Sequence, residues 1–509
     1  MLANFKALVV VLALAIIVFA LAKPLCLRFT APEDFERRRG VWFVLTIAAF
    51  LSPSFWVYLL VAVPLIAWAA RKDSTPVALY LLLFFVIPPV AIAIPTVGIR
   101  QLFDMNNQRL LAFTILLPAA IARFSGRNAA PLRLNRVDAL FLLYGLLQLV
   151  LLIPYESATN TLRRGFLFLL DAYLTYFAFS RLLPDRRNVV DAMGAFCLAA
   201  AVFAPIAIFE SLRTWLLFTG IPLTWGDPNF AGAWLLRGND LRAQAAAGHS
   251  LTLGYVFMLA IGFAMYLKWT QSSKRATIAV FAMLFAGLYF TYSRGPWLAA
   301  ILVVVVAIVL GTRNAAQLVK ITLPFALIGM VLIVTPLGHG LVELLPFVGS
   351  SYQDTIEQRQ RLAETSWRLV QQNPLFGNPF VMLEMEELRL GANGIIDLVN
   401  AYAQVALFYG LIGLALFLAV YAGALLRSYA TFKLARTFGD DDMVLLGATL
   451  IASMVSCLVL MGASGHLWLE WASAGILVSY ASLQVHERPA PEPAVVQRRS
   501  LRRGRTAAF

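Results

Sequence analysis

Residues Ala276–Phe290 read "ATIAVFAMLFAGLYF", Thr291–Ala300 read "TYSRGPWLAA", and Ile301–Leu310 read "ILVVVVAIVL". Two apolar stretches meet at a short seam that carries Arg294. A membrane-crossing helix needs roughly 20 apolar residues to span a hydrocarbon core of about 30 Å, and each arm of this pattern approaches that length. A cation at bilayer depth is costly unless it reaches the surface or meets an anion. The seam therefore reads as a turn between two crossing helices, with Arg294 at headgroup depth.

The rest of the chain repeats the theme. Of 509 residues, 60% are hydrophobic and 13% charged, and the mean hydropathy is +0.77. Repeated apolar windows separated by short polar links identify an all-α, polytopic membrane protein. Leu8–Ala22 follows one lysine and lacks a small-residue cleavage site, so it reads as a retained helix. Cys26, Cys197 and Cys457 are scattered, which argues against a disulfide framework or a thiolate metal site.

Apolar periodicity predicts roughly 13–15 crossing helices. They include Phe55–Ala70, Pro76–Pro95, Leu110–Ile121, Val137–Ile153, Gly165–Leu182, Val190–Phe209, Leu251–Leu267, Ile321–Leu337, Leu398–Leu426, Met443–Met461 and His466–Leu483. The expected organisation is N-terminal helices over 1–209, a loop over 210–250, central helices over 251–337, a large loop over 338–397, C-terminal helices over 398–486 and a basic tail over 487–509. The net charge of +14 is read as topology rather than nucleic-acid binding, because Lys and Arg accumulate in cytoplasmic loops. "RFSGRNAAPLRLNR" (Arg123–Arg136), "RLLPDRRN" (Arg181–Asn188), "KWTQSSKR" (Lys268–Arg275), "RSYATFKLAR" (Arg427–Arg436) and the tail fall on one side. The two long loops fall on the other, and within the second "TIEQRQRLAETSWRLVQQ" (Thr355–Gln372) has one partly apolar helical face built on Ile356, Leu362, Trp367 and Leu369.

Lysine and arginine divide between the sides. Lys23, Lys72, Lys268, Lys274, Lys320 and Lys433 fall on the cytoplasmic side. The far side carries arginines instead, among them Arg109, Arg237, Arg242, Arg294, Arg361 and Arg389. Guanidinium grips phosphate through a two-pronged fork and stays charged. An arginine-lined non-cytoplasmic surface points to an anionic ligand such as a lipid phosphate. Headgroup contacts and pairing with Glu are the competing uses of each single arginine.

"YSRGPWLA" resembles the SRG-x-W-L-A stretch of the O-antigen ligase and polymerase superfamily (WaaL-like and Wzy-like proteins). Three more stretches are similar to that family in order and spacing: "RAQAAAGHSLTLGY" (Arg242–Tyr255), "RLAETSWRLVQQNPLFG" (Arg361–Gly377) and "DLVNAYAQVALFYGLIGLALFL" (Asp397–Leu418). The likeness is closest to exopolysaccharide polymerase-type members. Ligases carry a histidine at the start of the closing motif, where this chain has Val399 or Asn400. A neutral amide orients a hydroxyl but takes no proton from it.

The resemblance implies a metal-independent glycosyltransferase. It would transfer a glycan from undecaprenyl pyrophosphate to an acceptor hydroxyl at the periplasmic face of the bacterial inner membrane, alongside a chain-length regulator and other assembly proteins. It further implies that Arg242, Arg294 and Arg361 bind the pyrophosphate, that His249 or Asp397 serves as general base, and that Trp367 and Asn400 meet the glycan. Seven residues separate Arg242 from His249, so a continuous helix would put both on one face. His249 reads equally as the cap of the helix beginning near Ser250, Asp397 as a helix cap, and Trp297 and Trp367 as interfacial anchors. Glu210 reads as a structural partner of Arg213. His249, His339, His466 and His486 are far apart and lack paired carboxylates, so neither metal nor other cofactor is expected. A ligase acting on another acceptor, and a transporter of lipid-linked glycan or solute, are the alternatives. The transporter reading lacks the internal repeat that such proteins usually show.

Overall fold

The computed structural model describes residues 2–94, 103–125, 133–227, 234–268, 273–312, 353–388, 396, 398, 400–465 and 467–485. The described residues are 78% helical. The helices are α1 (Leu2–Cys26), α2 (Pro32–Leu51), α3 (Phe55–Lys72), α4 (Pro76–Leu83), α5 (Asn107–Leu111), α6 (Leu117–Phe124), α7 (Arg136–Leu152), α8 (Ala158–Phe168), α9 (Leu174–Arg181), α10 (Arg186–Arg213), α11 (Gly220–Trp225), α12 (Ser250–Leu267), α13 (Lys274–Tyr289), α14 (Arg294–Gly311), α15 (Gln353–Gln372), α16 (Ala401–Phe438), α17 (Asp441–Met461) and α18 (Trp468–Tyr480). Among the described residues there are also two short antiparallel pairings: β1 (Ile92–Ala93) with β2 (Asp104–Met105), and β3 (Leu236–Arg237) with β4 (Asp240–Leu241). A π-helical turn, Ala112–Leu116, joins α5 to α6, and another, Leu169–Tyr173, joins α8 to α9.

Among the described residues, seven helices are long and apolar enough to cross a membrane: α1 from Ala3, α3, α10, α12, α14, α16 and α17. α10 and α12 form the centre, with most of their residues buried by protein. The outer faces of α1, α3 and α14 expose Leu21, Leu60 and Ile301, as lipid-facing helices do. Further apolar helices, such as α7 with 17 residues and α13 with 16, are shorter. The predicted helix Ile321–Leu337 lies outside the described residues.

The "SPS" around Pro53 ends α2 and starts α3, where Ser54 accepts from Val57 N. It is a hairpin of two helices. The predicted helix Pro76–Pro95 stops at Leu83. Pro88 and Pro89 cannot donate to a continuing ladder, and Asn107 instead donates to the carbonyls of Leu83 and Phe84 at 3.3 and 2.5 Å.

Polar contacts sort the helix ends onto two faces. On one, Arg186 pairs with Asp442 at 2.7 Å, Arg436 donates to Thr312 O and Arg427 to Ser482 Oγ. This is the basic face. On the other, Asn4 donates to Gly220 O, Trp225 to Ser52 O, and Ala401 N to Ser464 O. Toward the basic face, α2, α3 and α10 are tied by Arg38, which forks onto Asp73 and also onto Asp191 at 2.6–2.9 Å. Desolvating these ions is expensive, and only the complete set of partners offsets it.

α16 is broken. Gly410 has φ 67 and ψ −172, a conformation essentially confined to glycine. Into this gap fits Pro374–Asn378 from the segment after α15. Leu411 N donates to Pro374 O at 2.8 Å, and Asn378 N donates to Leu407 O at 2.8 Å. A Cβ on Gly410 would overlap the Leu375 carbonyl, and one on Gly377 would strike Leu407 O. Leu362, Leu369 and Val370 of α15 pack with Ala406 and Leu407 of α16, so the cap rests directly on the membrane helix.

Candidate functional site

The seam Thr291–Pro296 is held from within and from three sides. α13 ends at Tyr289, and Tyr292 reverses the chain with φ 46. Thr291 Oγ1 donates to Leu288 O at 2.7 Å, and Trp297 Nε1 donates to the same carbonyl at 2.9 Å while its ring stacks on Tyr289. Ser293 is the N-cap of α14 but makes no side-chain cap. The usual target for such a cap is the third helical N–H, and that position is Pro296, which has none. The Ser293 hydroxyl is therefore available for another partner.

That partner is Arg242. Its Nη2 donates to Ser293 Oγ at 2.9 Å, and its Nε to Thr291 O at 3.3 Å. Ala243 N donates to Phe290 O at 3.1 Å, and Arg237 Nη1 to Tyr292 O at 2.7 Å. The hairpin β3–β4, with Gly238 at φ 61 in its two-residue turn, thus lays a strap along the seam. Two arginines from the strap meet the seam that begins α14 with Arg294. Burial, and then the neighbouring Arg237, lowers the Arg242 pKa to about 10.

Glu210, at the end of α10, is fully buried beneath the strap. One carboxylate oxygen accepts from Gln244 N and Ala245 N at 3.0 and 2.8 Å, and the other from Leu217 N at 2.9 Å. The expected pairing with exposed Arg213 gives way to three backbone donors. No continuous helix joins Arg242 to His249, so the shared face that such a helix would give does not arise. Ala245 has φ 44 and Gly248 φ 72, so only a single 3-10 turn, Ala245–Ala247, intervenes before α12. A Cβ on Gly248 would strike Pro89.

His249 is the exposed N-cap of α12, and its Nδ1 accepts from Leu251 N at 3.1 Å. In the neutral ring that bond assigns the proton to Nε2, which makes Nε2 a donor. α12 reaches the seam through Gly254, where a Cβ would press on Pro296 and Thr291. Asn400 caps α16, accepting from Tyr402 N and Ala403 N at 3.0 Å. Its helix is linked to the seam through the end of α17: Ala401 N donates to Ser464 O, Ser464 Oγ donates to Leu460 O, and Leu460 faces Gly295. The N-termini of α12, α14 and α16 therefore lie on one face with the arginines, and helix N-termini favour anions.

Arg361 and Trp367 lie on the exposed side of α15. Trp367 was expected on the apolar face, but the packed positions are Leu362, Ser366, Leu369 and Val370. At about 100° per residue, Trp367 is turned roughly 140° from Leu362. Asp397 and Arg389 lie outside the described residues. The sequence also left Ser293 and Glu210 without their roles. The "SRGP" order contained a signal for Ser293, since a serine three residues before proline is a cap without its donor.

Residues 278–418 match the family model described as O-antigen ligase, from α13 through the seam and the cap to the middle of α16. No match is found among curated proteins. Arg242 and His249 precede the matched segment and are brought to it by the strap. The chain is a multi-pass membrane protein in which residues 278–418 are similar to the O-antigen ligase family, and this match supports a kinship with the O-antigen ligase/polymerase superfamily and a glycan-transfer activity in general.

Proposed function

We propose that the chain is a glycan polymerase. It transfers oligosaccharide repeat units from undecaprenyl pyrophosphate to a growing exopolysaccharide or O-antigen chain at the periplasmic face of the inner membrane. The observation that carries this reading is the strap, which holds Arg242 against the turn from which Arg294 begins α14. The acceptor hydroxyl oxygen attacks the anomeric carbon of the lipid-linked sugar. A new C–O bond forms, the bond from that carbon to the pyrophosphate oxygen breaks, and the electron pair leaves with undecaprenyl pyrophosphate. Arg242 and Arg294 neutralise the charge that develops there, with Arg361 of the cap as a further contact, and fixed donors are most effective where charge develops. Arg237 adds to the same field.

His249 presents Nε2–H to a phosphate or hydroxyl oxygen in the ring state set by its cap. It becomes a base for the hydroxyl proton only if the ring turns and releases Leu251 N. Asp397 is the other candidate for that proton. Trp367, exposed on the cap, offers a stacking face to sugars, and the Asn400 amide nitrogen offers a donor. The absence of a histidine at Val399 or Asn400 favours polymerase over ligase. The excess of Lys and Arg on the basic face supports a cytoplasmic placement for that face and for the tail. A chain-length regulator is the expected partner.

Two experiments test the reading. Reporter fusions at Gln372 and Arg505 should give opposite compartment signals, and the same signal from both would contradict the topology. Transfer from a defined lipid-linked repeat unit to a second copy of that unit identifies a polymerase. Transfer only to a separate acceptor identifies a ligase, and movement of intact lipid-linked glycan without transfer identifies a transporter.

A further inference from the structure

A cavity of about 320 Å³ opens on the basic face, opposite the arginine strap, between the ends of α6, α9 and α18, the start of α7 and the side of α16 at Arg427. Arg123, Arg133, Arg181 and Arg427 line it, with Leu134 and Ser482 among the other walls. No carboxylate is among the described lining residues. Behind Arg181 lies Asp138, fully buried and already saturated: it accepts from Arg181 at 2.5 Å, Tyr176 OH at 2.7 Å and Asn135 N at 2.6 Å. It neutralises Arg181 alone. Four arginines less one carboxylate leave three positive charges around one cavity. Arg427 is held toward Ser482 Oγ at 3.3 Å. Among the described residues the side chains of Arg123 and Arg133 have no hydrogen-bond or ion-pair partner.

We propose that this cavity binds the phosphate of an anionic lipid headgroup, with Arg123 and Arg133 as its main contacts. An excess of basic residues at a cytoplasmic face explains the sign of the charge, but it does not explain why four arginines, from α6, α9, α16 and the link before α7, converge on one concave space. Basic pockets between membrane helices are suited to anionic headgroups. Leu134 supplies an apolar wall of the kind a glycerol backbone meets, which distinguishes a lipid from free phosphate. The chain's own tail is no substitute occupant, because "RRSLRRGR" (Arg498–Arg505) carries the same sign as the cavity.

The test uses the purified full-length chain in a neutral detergent, with lipid binding followed by native mass spectrometry and by thermal shift. Phosphatidylglycerol should be retained and should raise the melting temperature, whereas phosphatidylcholine should do neither. The double variant Arg123→Gln/Arg133→Gln should melt like the wild type without lipid, since both residues are exposed. It should bind phosphatidylglycerol roughly thirtyfold more weakly, two basic contacts having been removed. Arg242→Gln should leave that binding intact, separating this cavity from the opposite face. Equal binding of phosphatidylcholine, or undiminished phosphatidylglycerol binding by the double variant, would overturn the proposal. Glycerol 3-phosphate reproducing the full shift at equal concentration would overturn the lipid as the source.

Discussion

Arg242 donates to the Ser293 hydroxyl at 2.9 Å across 51 residues of sequence, and this contact unites two motifs that the chain keeps apart. Its consequence is electrostatic. Arg242 is held charged but part-buried, beside Arg237, with its pKa lowered to about 10. The folded value lies below the unfolded one. Stability linked to this group is therefore fully present only above the ordinary arginine value, and it is lost as pH falls through about 10. At neutral pH the site carries that penalty, and a bound anion relieves it. Inorganic pyrophosphate should accordingly stabilise the wild type at pH 7, by about 2.7 kcal/mol at a hundredfold excess over its Kd. Arg242→Gln should lose the shift; the same shift in the variant would place the anion elsewhere.

His249 combines a cap with a candidate chemical role, and the two separate by substitution. Asparagine is among the best N-cap residues, so His249→Asn should keep the thermal stability that the Nδ1 cap supplies. Polymer length at matched membrane abundance should still fall sharply. The loss should reach roughly 10²–10⁴-fold in rate if the ring moves the hydroxyl proton. Wild-type chains from His249→Asn would leave only the cap. Asp397→Asn then becomes the informative variant.

The broken helix makes a prediction about folding. Gly410→Ala introduces a Cβ against the Leu375 carbonyl in a backbone region that only glycine occupies readily. The strain alone is about 1–3 kcal/mol. The variant should release the Pro374–Asn378 segment, which limited proteolysis between α15 and α16 would detect. Unchanged protection would show that the cap is held by the Leu362, Leu369 and Val370 contacts without the gap.

Among the described residues the Glu210 side chain accepts hydrogen bonds from the strap and from Leu217 N, so it acts through the strap. Glu210→Gln turns an amide NH2 toward backbone donors that the carboxylate oxygens now accept from. The loss should be about 1–3 kcal/mol of stability, the range for leaving a buried hydrogen-bonding group unsatisfied. Displacement of Arg242 should lower kcat/KM by on the order of 10²-fold. A variant that loses stability but keeps kcat/KM would confine Glu210 to a purely structural role.

Most of the membrane helices were legible because apolar length is a strong local signal, and the "SRG" and "PLFG" stretches marked the seam and the cap. The strap was less legible. The seven-residue spacing of Arg242 and His249 would put both on one face of a continuous helix, but Ala245 at φ 44 and Gly248 against Pro89 interrupt any such helix. That interruption depends on a residue more than 150 positions away. Arg38 with Asp73 and Asp191 was illegible for the same reason: each ion sits near a helix end, where a charge ordinarily meets water, and only packing reveals the pairing. Trp367 misled because its size suggested burial, whereas its register turns it outward.

The most direct measurement is release of undecaprenyl pyrophosphate from a defined lipid-linked repeat unit by the purified chain in proteoliposomes, comparing wild type with Arg242→Lys and Arg294→Lys. Lysine keeps the charge and loses the fork. The account predicts a product ladder with stoichiometric release for the wild type, and at least a roughly tenfold slower release for each variant at equal protein, in line with removal of a fixed donor from developing charge. Undiminished release by both lysine variants, or no release by the wild type, would contradict it.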